Sequence, residues 1–233
     1  MPRHPLWIQK IIALNPAYVK VKNMCFSATA SYTAALLLGS VGIFLMKKTK
    51  PPSLKWLTMI PLFFAIQQFS EGILWTTLDY GVYPNLWGLS AQRVFLFFAY
   101  LFWPLWIPLS FMHAETETQK KKKFWPFLFG GFVLFLFNTI GFTQEGITPA
   151  EIIQCSIHYG GSTLSHRILY ALITLTPFFL SSLRGTKLLG IALTLSFILS
   201  DLFYHHAFTS IWCFFAAIVC LGLFWIVKTN KPK

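Results

Sequence analysis

Two acidic residues and a histidine attract attention because each falls within a long apolar run. Glu71 occurs in AIQQFSEGILW (65–75), and Asp201 and His205 occur in ILSDLFYHHAF (198–208). An ionisable side chain inside a bilayer costs about 2.5–3.5 kcal/mol on insertion scales, so such residues are usually functional. A metal ion bound by Asp201 and His205 would acidify its bound water, and Glu71 would then act as the general base. These three residues are therefore the candidate catalytic residues of a metal-dependent hydrolase.

The spacing of the metal-ligand candidates has a physical rationale. Asp201 and His205 are four residues apart, which predicts that they share one face of a helix. A carboxylate one turn from a histidine orients the imidazole or joins it in binding a divalent metal such as zinc. Zinc needs a third protein ligand, for which Glu71, His206 and the loop residue His158 are candidates. Asp201, His205 and His206 form the expected metal set.

Further polar residues fall at a similar depth in the predicted helices. They indicate a polar pocket that is open to the outside and lined by the first, second, third, sixth and seventh helices. The alternative is a packing network that locks the bundle, with Glu71 paired to Arg93 and Asp201 paired to a histidine; a solute or proton path is a third hypothesis. The predicted pocket-lining residues are Ser27, Thr29, Ser31, Gln67, Gln68, Ser70, Arg93, Tyr204 and Trp212.

The elements that must position these residues are transmembrane helices. The 233-residue chain is 55% apolar and 11% charged, whereas a soluble domain has about 25% charged residues. Backbone groups have no water partner in lipid, so apolar segments that approach the ~30 Å hydrocarbon thickness should be helical. We expect an all-α integral membrane bundle of seven transmembrane helices, with kinks at Pro61, Pro104, Pro108 and Pro177. The predicted segments are 27–46, 54–78, 90–112, 124–142, 167–184, 187–206 and 209–227.

The basic residues predict the orientation of the bundle. Thirteen of the 19 Lys and Arg residues fall in the alternate stretches 47–55, 119–124, 183–187 and 228–233. The positive-inside rule therefore places the C-terminus in the cytoplasm and the start of the first helix outside. The net charge of +12 does not indicate nucleic-acid binding, because the charges sit in short loops between apolar runs. The lipid bilayer is the expected partner.

The first 23 residues oppose this orientation. They carry four basic residues just before a helix whose start should lie outside. One explanation is that residues 1–23 are an extension and that the native chain starts at Met24. The alternative is an amphipathic arm, with residues 6–14 lying on the membrane surface. The expected domains are the extension, a membrane domain over 24–228 and a basic cytoplasmic tail over 229–233.

The longest outer loop and the cysteines give weaker indications. The loop over residues 143–166 is either a cap over the pocket or a plain connector. Cys25, Cys155 and Cys213 would all lie near the outer face, where an oxidising compartment permits one disulfide, such as Cys25–Cys155. Free buried thiols are the alternative.

Three stretches resemble a known family. MCFSATASY (24–32), PLFFAIQQFSEGILW (61–75) and SIWCFFAA (210–217) are similar to a family of uncharacterised bacterial multi-pass membrane proteins. The resemblance covers about residues 24–228, and it implies a bacterial inner-membrane protein that starts at Met24. It implies no activity.

A more distant similarity is to the alkaline ceramidase and adiponectin-receptor superfamily of zinc-dependent lipid amidases. It consists of seven helices, an outside N-terminus and intramembrane Ser, Asp and His. This chain departs from that pattern because its last helix lacks an H-x3-H pair, so no zinc ligand is carried over. The hydrolase of a lipid or amphiphile remains the first hypothesis, and a transporter, sensor or structural membrane protein is the alternative. The absence of an internal repeat does not favour transport.

Overall fold

The part of the chain that the structure describes contains seven helical segments. This computed structural model describes residues 26–144, 146–153, 156–160 and 164–230, without the side chains of 164–165. Six of the helices are long and apolar enough to cross a membrane, whereas α5 is shorter, with 17 residues. The helices are α1 (Ala28–Lys48), α2 (Pro52–Asp79), α3 (Leu86–Ala114), α4 (Thr118–Gln144), α5 (Leu164–Leu180), α6 (Thr186–Phe203) and α7 (His205–Thr229). The prediction of a helical membrane bundle is confirmed, and the prediction that α5 also spans stays a prediction.

The bundle has two chemically different ends. One end holds a short hairpin in which β1 (Glu151–Ile153) pairs antiparallel with β2 (Ser156–His158); we call it the hairpin end. The opposite end holds most of the lysines, and we call it the lysine end. Contacts between Glu115 and Ser181 and between Arg184 and Asn230 join the helix termini there. The described parts of the basic stretches that follow α3, α5 and α7 therefore lie at one end of the bundle.

Small residues allow close contact between α1 and α2. A Cβ on Gly42 would come within 2.9 Å of the backbone nitrogen of Leu62, and a Cβ on Gly72 would meet the Tyr32 ring at 2.6 Å. The Tyr32 hydroxyl also lies 3.2 Å from Thr76 Oγ1. Helix approach through glycine is a common form of packing inside membranes.

Two of the predicted proline sites do break helical regularity. The helix α2 is interrupted at Met59, just before Pro61. In α3, residues Phe97–Phe102 widen into a π-helical turn before Pro104, whose ring cannot donate a backbone hydrogen bond. Asn138 of α4 compensates by donating its side-chain amide to the Tyr100 carbonyl at 3.0 Å. Pro108 and Pro177 lie inside continuous helices.

The boundary between the last two helices differs from the prediction. The sixth segment was expected to reach residue 206, but α6 ends at Phe203 and Tyr204 leaves the helical conformation. His205 and His206 instead begin α7 as a 3₁₀ turn. Asp201 and His205 therefore do not share one helix face. This stretch contains no glycine or proline, so the usual signals of a helix end are missing.

Several predictions concern residues outside the described part of the chain. These are the extension over residues 1–23, the start at Met24, and the disulfide between Cys25 and Cys155. Cys213 is described, and it is a buried free thiol.

Candidate functional site

Glu71 lies at the centre of a buried polar cluster near the hairpin end. Its side chain is 1% exposed. Ser210 of α7 donates its hydroxyl to Glu71 Oε1 at 2.6 Å, and the Tyr159 hydroxyl donates to the same oxygen at 3.3 Å. Gln68 approaches the other oxygen with its amide nitrogen at 3.4 Å. The carboxylate thus joins α2, α7 and the segment after the hairpin.

The glutamine before Gln68 extends this cluster toward the middle of the bundle. Trp103 of α3 donates its indole N–H to Gln67 Oε1 at 2.8 Å. Ser70 donates its hydroxyl to the Gln67 backbone carbonyl at 2.7 Å, so it serves its own helix rather than a cavity. Both Gln67 and Gln68 are fully buried. Because burial without partners is costly, the placement of two amides here marks an unusual polar interior.

A second polar cluster lies closer to the end of the bundle. Arg167 of α5 forms an ion pair with Asp201 of α6. The guanidinium also contacts both ring nitrogens of His205, at 3.1 and 3.2 Å, and lies 4.9 Å from the centre of the Phe208 ring. His205 Nδ1 is 3.6 Å from Asp201 Oδ1. Asp201 and His205, which were predicted to act together, do lie close to each other, and Arg167 contacts both side chains.

The segment around the hairpin covers the Glu71 cluster. The Tyr159 ring stacks on Phe95 with 4.6 Å between ring centres, and burial raises the pKa of its hydroxyl well above the usual range. The phenol therefore keeps its proton and remains a donor. On the other side, Gln92 donates to the Thr148 carbonyl at 2.6 Å, and Tyr83 donates to Gln92 at 2.6 Å. These contacts favour a cap over a plain connector.

An apolar cavity lies beneath these clusters, among α2, α3, α5, α6 and α7. We call it the deep cavity. It is a narrow, partly open cavity with a volume of about 50 Å³. Its wall runs along α7 from Trp212 to Leu223, which corresponds to roughly 16 Å at ~1.5 Å per residue. The wall is almost entirely apolar, so the cavity suits a hydrocarbon group rather than a hydrated solute.

Two smaller cavities lie between this region and the hairpin end. The mouth cavity is lined by Tyr159, Arg167 and His206, among others. The middle cavity shares Arg167, Phe208 and Thr209 with the mouth cavity. It shares Tyr170, Trp212 and Cys213 with the deep cavity. Each cavity thus shares wall residues with the next. We call this series the column, and its lining is polar at the hairpin end and apolar below.

The structure brings only some of the predicted lining residues together. Gln67 and Gln68 belong to the Glu71 cluster, and Trp212 lines the column. Other residues lie elsewhere. Ser27 and Thr29 line a separate groove between α1 and α7. Ser31 is buried in α1. Arg93 is exposed on α3, and Tyr204 is 38% exposed.

The predicted packing pairs are only partly present. Glu71 is hydrogen-bonded to neutral side chains, whereas Arg93 lies exposed on α3. Asp201 does lie near a histidine, but its closer partner is Arg167. Arg167 is the first residue of the predicted segment 167–184, and sequence reasoning gave it no role. Tyr159 and Ser210 were also missed, although Ser210 begins the SIWCFFAA stretch.

Two residues of the predicted metal set, Asp201 and His205, lie 3.6 Å apart. Among the residues that the structure describes, no group of three or more His, Cys, Asp and Glu side chains could hold a metal ion. His158 donates its Nδ1–H to the His206 backbone carbonyl. The predicted metal set of Asp201, His205 and His206 stays a prediction, as do the catalytic roles of Glu71, Asp201 and His205.

The fold and the buried polar clusters define a helical integral membrane protein. The chain belongs to a family described as "Family of unknown function (DUF6629)", whose sequence model matches residues 24–233. The resemblance to a family without an established activity is thereby confirmed. No curated protein and no solved structure matches the chain.

Proposed function

We propose that this integral membrane protein binds a single-chain amphiphile in the column, with the hairpin end facing outside and the lysine end in the cytoplasm. The polar part of the ligand lies among the clusters at the hairpin end, and its hydrocarbon chain fills the deep cavity. The observation that carries this proposal is the succession of three adjoining cavities, polar at one end and apolar at the other.

The shape and chemistry of the deep cavity favour a hydrocarbon chain. An apolar cavity does not retain water, and its empty walls lose dispersion contacts that a chain would restore. The roughly 16 Å run from Trp212 to Leu223 is about half of the ~30 Å hydrocarbon core. A slender chain fits this space better than a bulky ring system.

The polar end offers hydrogen-bonding groups at the depth where a head group would lie. Arg167, His205 and His206 line the mouth cavity. The Glu71 cluster lies beside the top of the deep cavity, because Trp103 and Cys213 line that cavity while Trp103 bonds to Gln67. The distribution of lysines supports an outward hairpin end through the positive-inside rule.

Protection of Cys213 tests the proposal. The experiment uses the full chain in lipid nanodiscs with Cys25→Ser, Cys155→Ser and Cys220→Ser, so that Cys213 is the remaining thiol. Labelling by a small membrane-permeable maleimide is measured with and without dodecanol. We expect dodecanol to slow the labelling of Cys213 several-fold, because the chain would occupy the space beside the thiol.

A matched control separates cavity binding from general effects on the membrane. Ser40→Cys in a background without the native cysteines places a thiol on the exposed face of α1. Dodecanol should leave the labelling rate of this control unchanged. Equal slowing at both positions, or no slowing at Cys213, would overturn the proposal.

A structural role is the second candidate, and it has its own observation. The Glu71 contacts join α2, α7 and the segment after the hairpin, which is the arrangement expected of a packing lock. In that case substitutions at Glu71 would change stability, while dodecanol would change labelling at neither thiol. The same experiment therefore distinguishes the two functions.

A further inference from the structure

We infer that the bound amphiphile carries an ammonium head and that Glu71 is the residue that binds it. This inference rests on the proposed function, because it assumes that a hydrocarbon chain occupies the deep cavity. It adds the chemical class of the head group, which the cavities alone do not specify.

The first observation is the neutral surrounding of Glu71. Its described hydrogen-bond donors are the side chains of Ser210, Tyr159 and Gln68, all of which are uncharged. Arg93 is exposed, and Arg167 forms an ion pair with Asp201. A buried carboxylate is best complemented by a cation, and the described contacts supply none.

The second observation is an unsatisfied acceptor beside the carboxylate. Gln68 is fully buried, and its Oε1 atom has no hydrogen-bond partner among the residues that the structure describes. Its amide nitrogen approaches Glu71 only at 3.4 Å. The Glu71 carboxylate and the Gln68 carbonyl are thus buried acceptors on side chains that contact each other. We propose that a primary ammonium, which has three N–H donors, bonds to both.

The position of Glu71 matches the head of a chain in the deep cavity. Ser210, which bonds to Glu71, lies one helical turn from Cys213, which lines the cavity. On the opposite side, Trp103 lines the cavity and bonds to Gln67, the neighbour of Gln68. Glu71 therefore lies about one helical turn from the wall of the deep cavity, which is where the proposal places the head group.

Other head groups fit less well. A carboxylate head would face the Glu71 carboxylate, and like charges at short distance in a buried site repel strongly. A hydroxyl head has a single O–H donor, so it can donate to only one of the two acceptors, the Glu71 carboxylate and the Gln68 carbonyl. The site therefore discriminates in favour of the ammonium by charge as well as by the number of donors.

The test compares three ligands with the same chain, namely dodecylammonium, dodecanol and dodecanoate. Protection of Cys213 from maleimide is measured in the single-thiol protein in nanodiscs, and the Ser40→Cys control corrects for partition into the lipid. We expect dodecylammonium to protect Cys213 at about a tenfold lower concentration than dodecanol, the scale of one hydrogen bond to a charged group. Dodecanoate should protect least.

Glu71→Gln and Glu117→Gln form the matched variants. Glu117 is an exposed residue in an ion pair with Lys120 at the lysine end, so its replacement should keep the preference for dodecylammonium. Glu71→Gln keeps the side-chain shape and should abolish the preference while dodecanol still protects. Equal protection by all three ligands in the unsubstituted protein, or a preference that survives Glu71→Gln, would overturn the ammonium inference and leave the chain site standing. Protection by none of them would overturn the proposed function itself.

Discussion

At the scale of single residues, Glu71 combines features that seldom occur together. It is 1% exposed, lies within a membrane-length helix and receives its described hydrogen bonds from neutral donors on three different parts of the chain. Removing such an acceptor leaves each donor buried and unpaired, which costs more than the lost hydrogen bond itself. Its replacement is therefore informative about stability as well as binding.

Glu71→Ala should lower the free energy of unfolding by about 1–3 kcal/mol, because Ser210 and Tyr159 lose their shared acceptor. Glu71→Gln should cost less, since the amide oxygen still accepts. Thermal denaturation in detergent measures both changes. Glu117→Ala, at an exposed position, should change stability by no more than about 0.5 kcal/mol. A loss at Glu71→Ala no larger than that of Glu117→Ala would contradict the role of the cluster.

Asp201, His205 and His206 carry the metal prediction. If they bind a divalent metal, the purified protein should contain zinc or a similar ion in stoichiometric amount, and His205→Ala should remove it. Elemental analysis by mass spectrometry gives the answer, with Lys120→Ala as a variant that should retain the metal. A metal content that is unchanged in His205→Ala would contradict this ligand set.

At the scale of helices, α3 and α4 illustrate how one irregularity is accommodated by a neighbour. Pro104 leaves the Tyr100 carbonyl without its usual donor, and Asn138 supplies the missing N–H. Close approach makes this possible, because a Cβ on Gly131 would lie 2.1 Å from the Pro104 carbonyl oxygen. The widened turn also places the Tyr100 hydroxyl 2.8 Å from Thr209 Oγ1 on α7, within hydrogen-bond distance.

Two glycines of α4 provide a matched test of this packing. Gly131→Ala should lower the free energy of unfolding by about 1–3 kcal/mol, because backbone atoms of α3 must move away. Gly141→Ala should be neutral or stabilising by up to ~1 kcal/mol, since a Cβ there meets nothing within 4 Å and alanine favours helix. Denaturation of both variants under the same conditions checks the difference. Equal effects would mean that the α3–α4 contact is looser than described.

The helices also show where sequence reasoning succeeds. Apolar length predicts each helix, and Pro61 and Pro104 predict two of the irregular regions. The end of α6 at Phe203 could not be predicted, because the following Tyr-His-His carries no helix-stop residue. As a result the geometry of Asp201 and His205 differs from the predicted helical face, even though the two side chains remain 3.6 Å apart.

At the scale of the whole molecule, the composition and charge of the chain predicted the class of fold. They could not predict which helices are neighbours in the bundle. Hydropathy shows that Glu71 and Asp201 are unusual, but it does not show which helices contact them. Tyr159, Ser210 and Arg167 become part of the clusters only through long-range packing. The sequence therefore indicated the central residues of the buried polar clusters and missed their partners.

The proposed orientation places the lysine end in the cytoplasm and the hairpin end outside. A green fluorescent protein fused after Lys233 should be fluorescent, because it would fold in the cytoplasm, and an alkaline phosphatase fused after Gly146 should be active outside. In the control the two reporters are exchanged. Alkaline phosphatase after Lys233 should then be inactive, and green fluorescent protein after Gly146 should not fluoresce. Active phosphatase after Lys233 would contradict the proposed orientation.

Photo-crosslinking can show directly whether a hydrocarbon chain occupies the deep cavity. A dodecyl probe with a diazirine at the end of its chain is activated in the presence of the protein in nanodiscs, and the modified residues are identified by mass spectrometry. We predict modification of Leu189, Leu193, Cys220 or Leu223, all of which line the cavity, and its loss when excess unlabelled dodecylammonium is present. Modification confined to lipid-exposed residues such as Leu36 and Phe129, with no competition, would contradict the account.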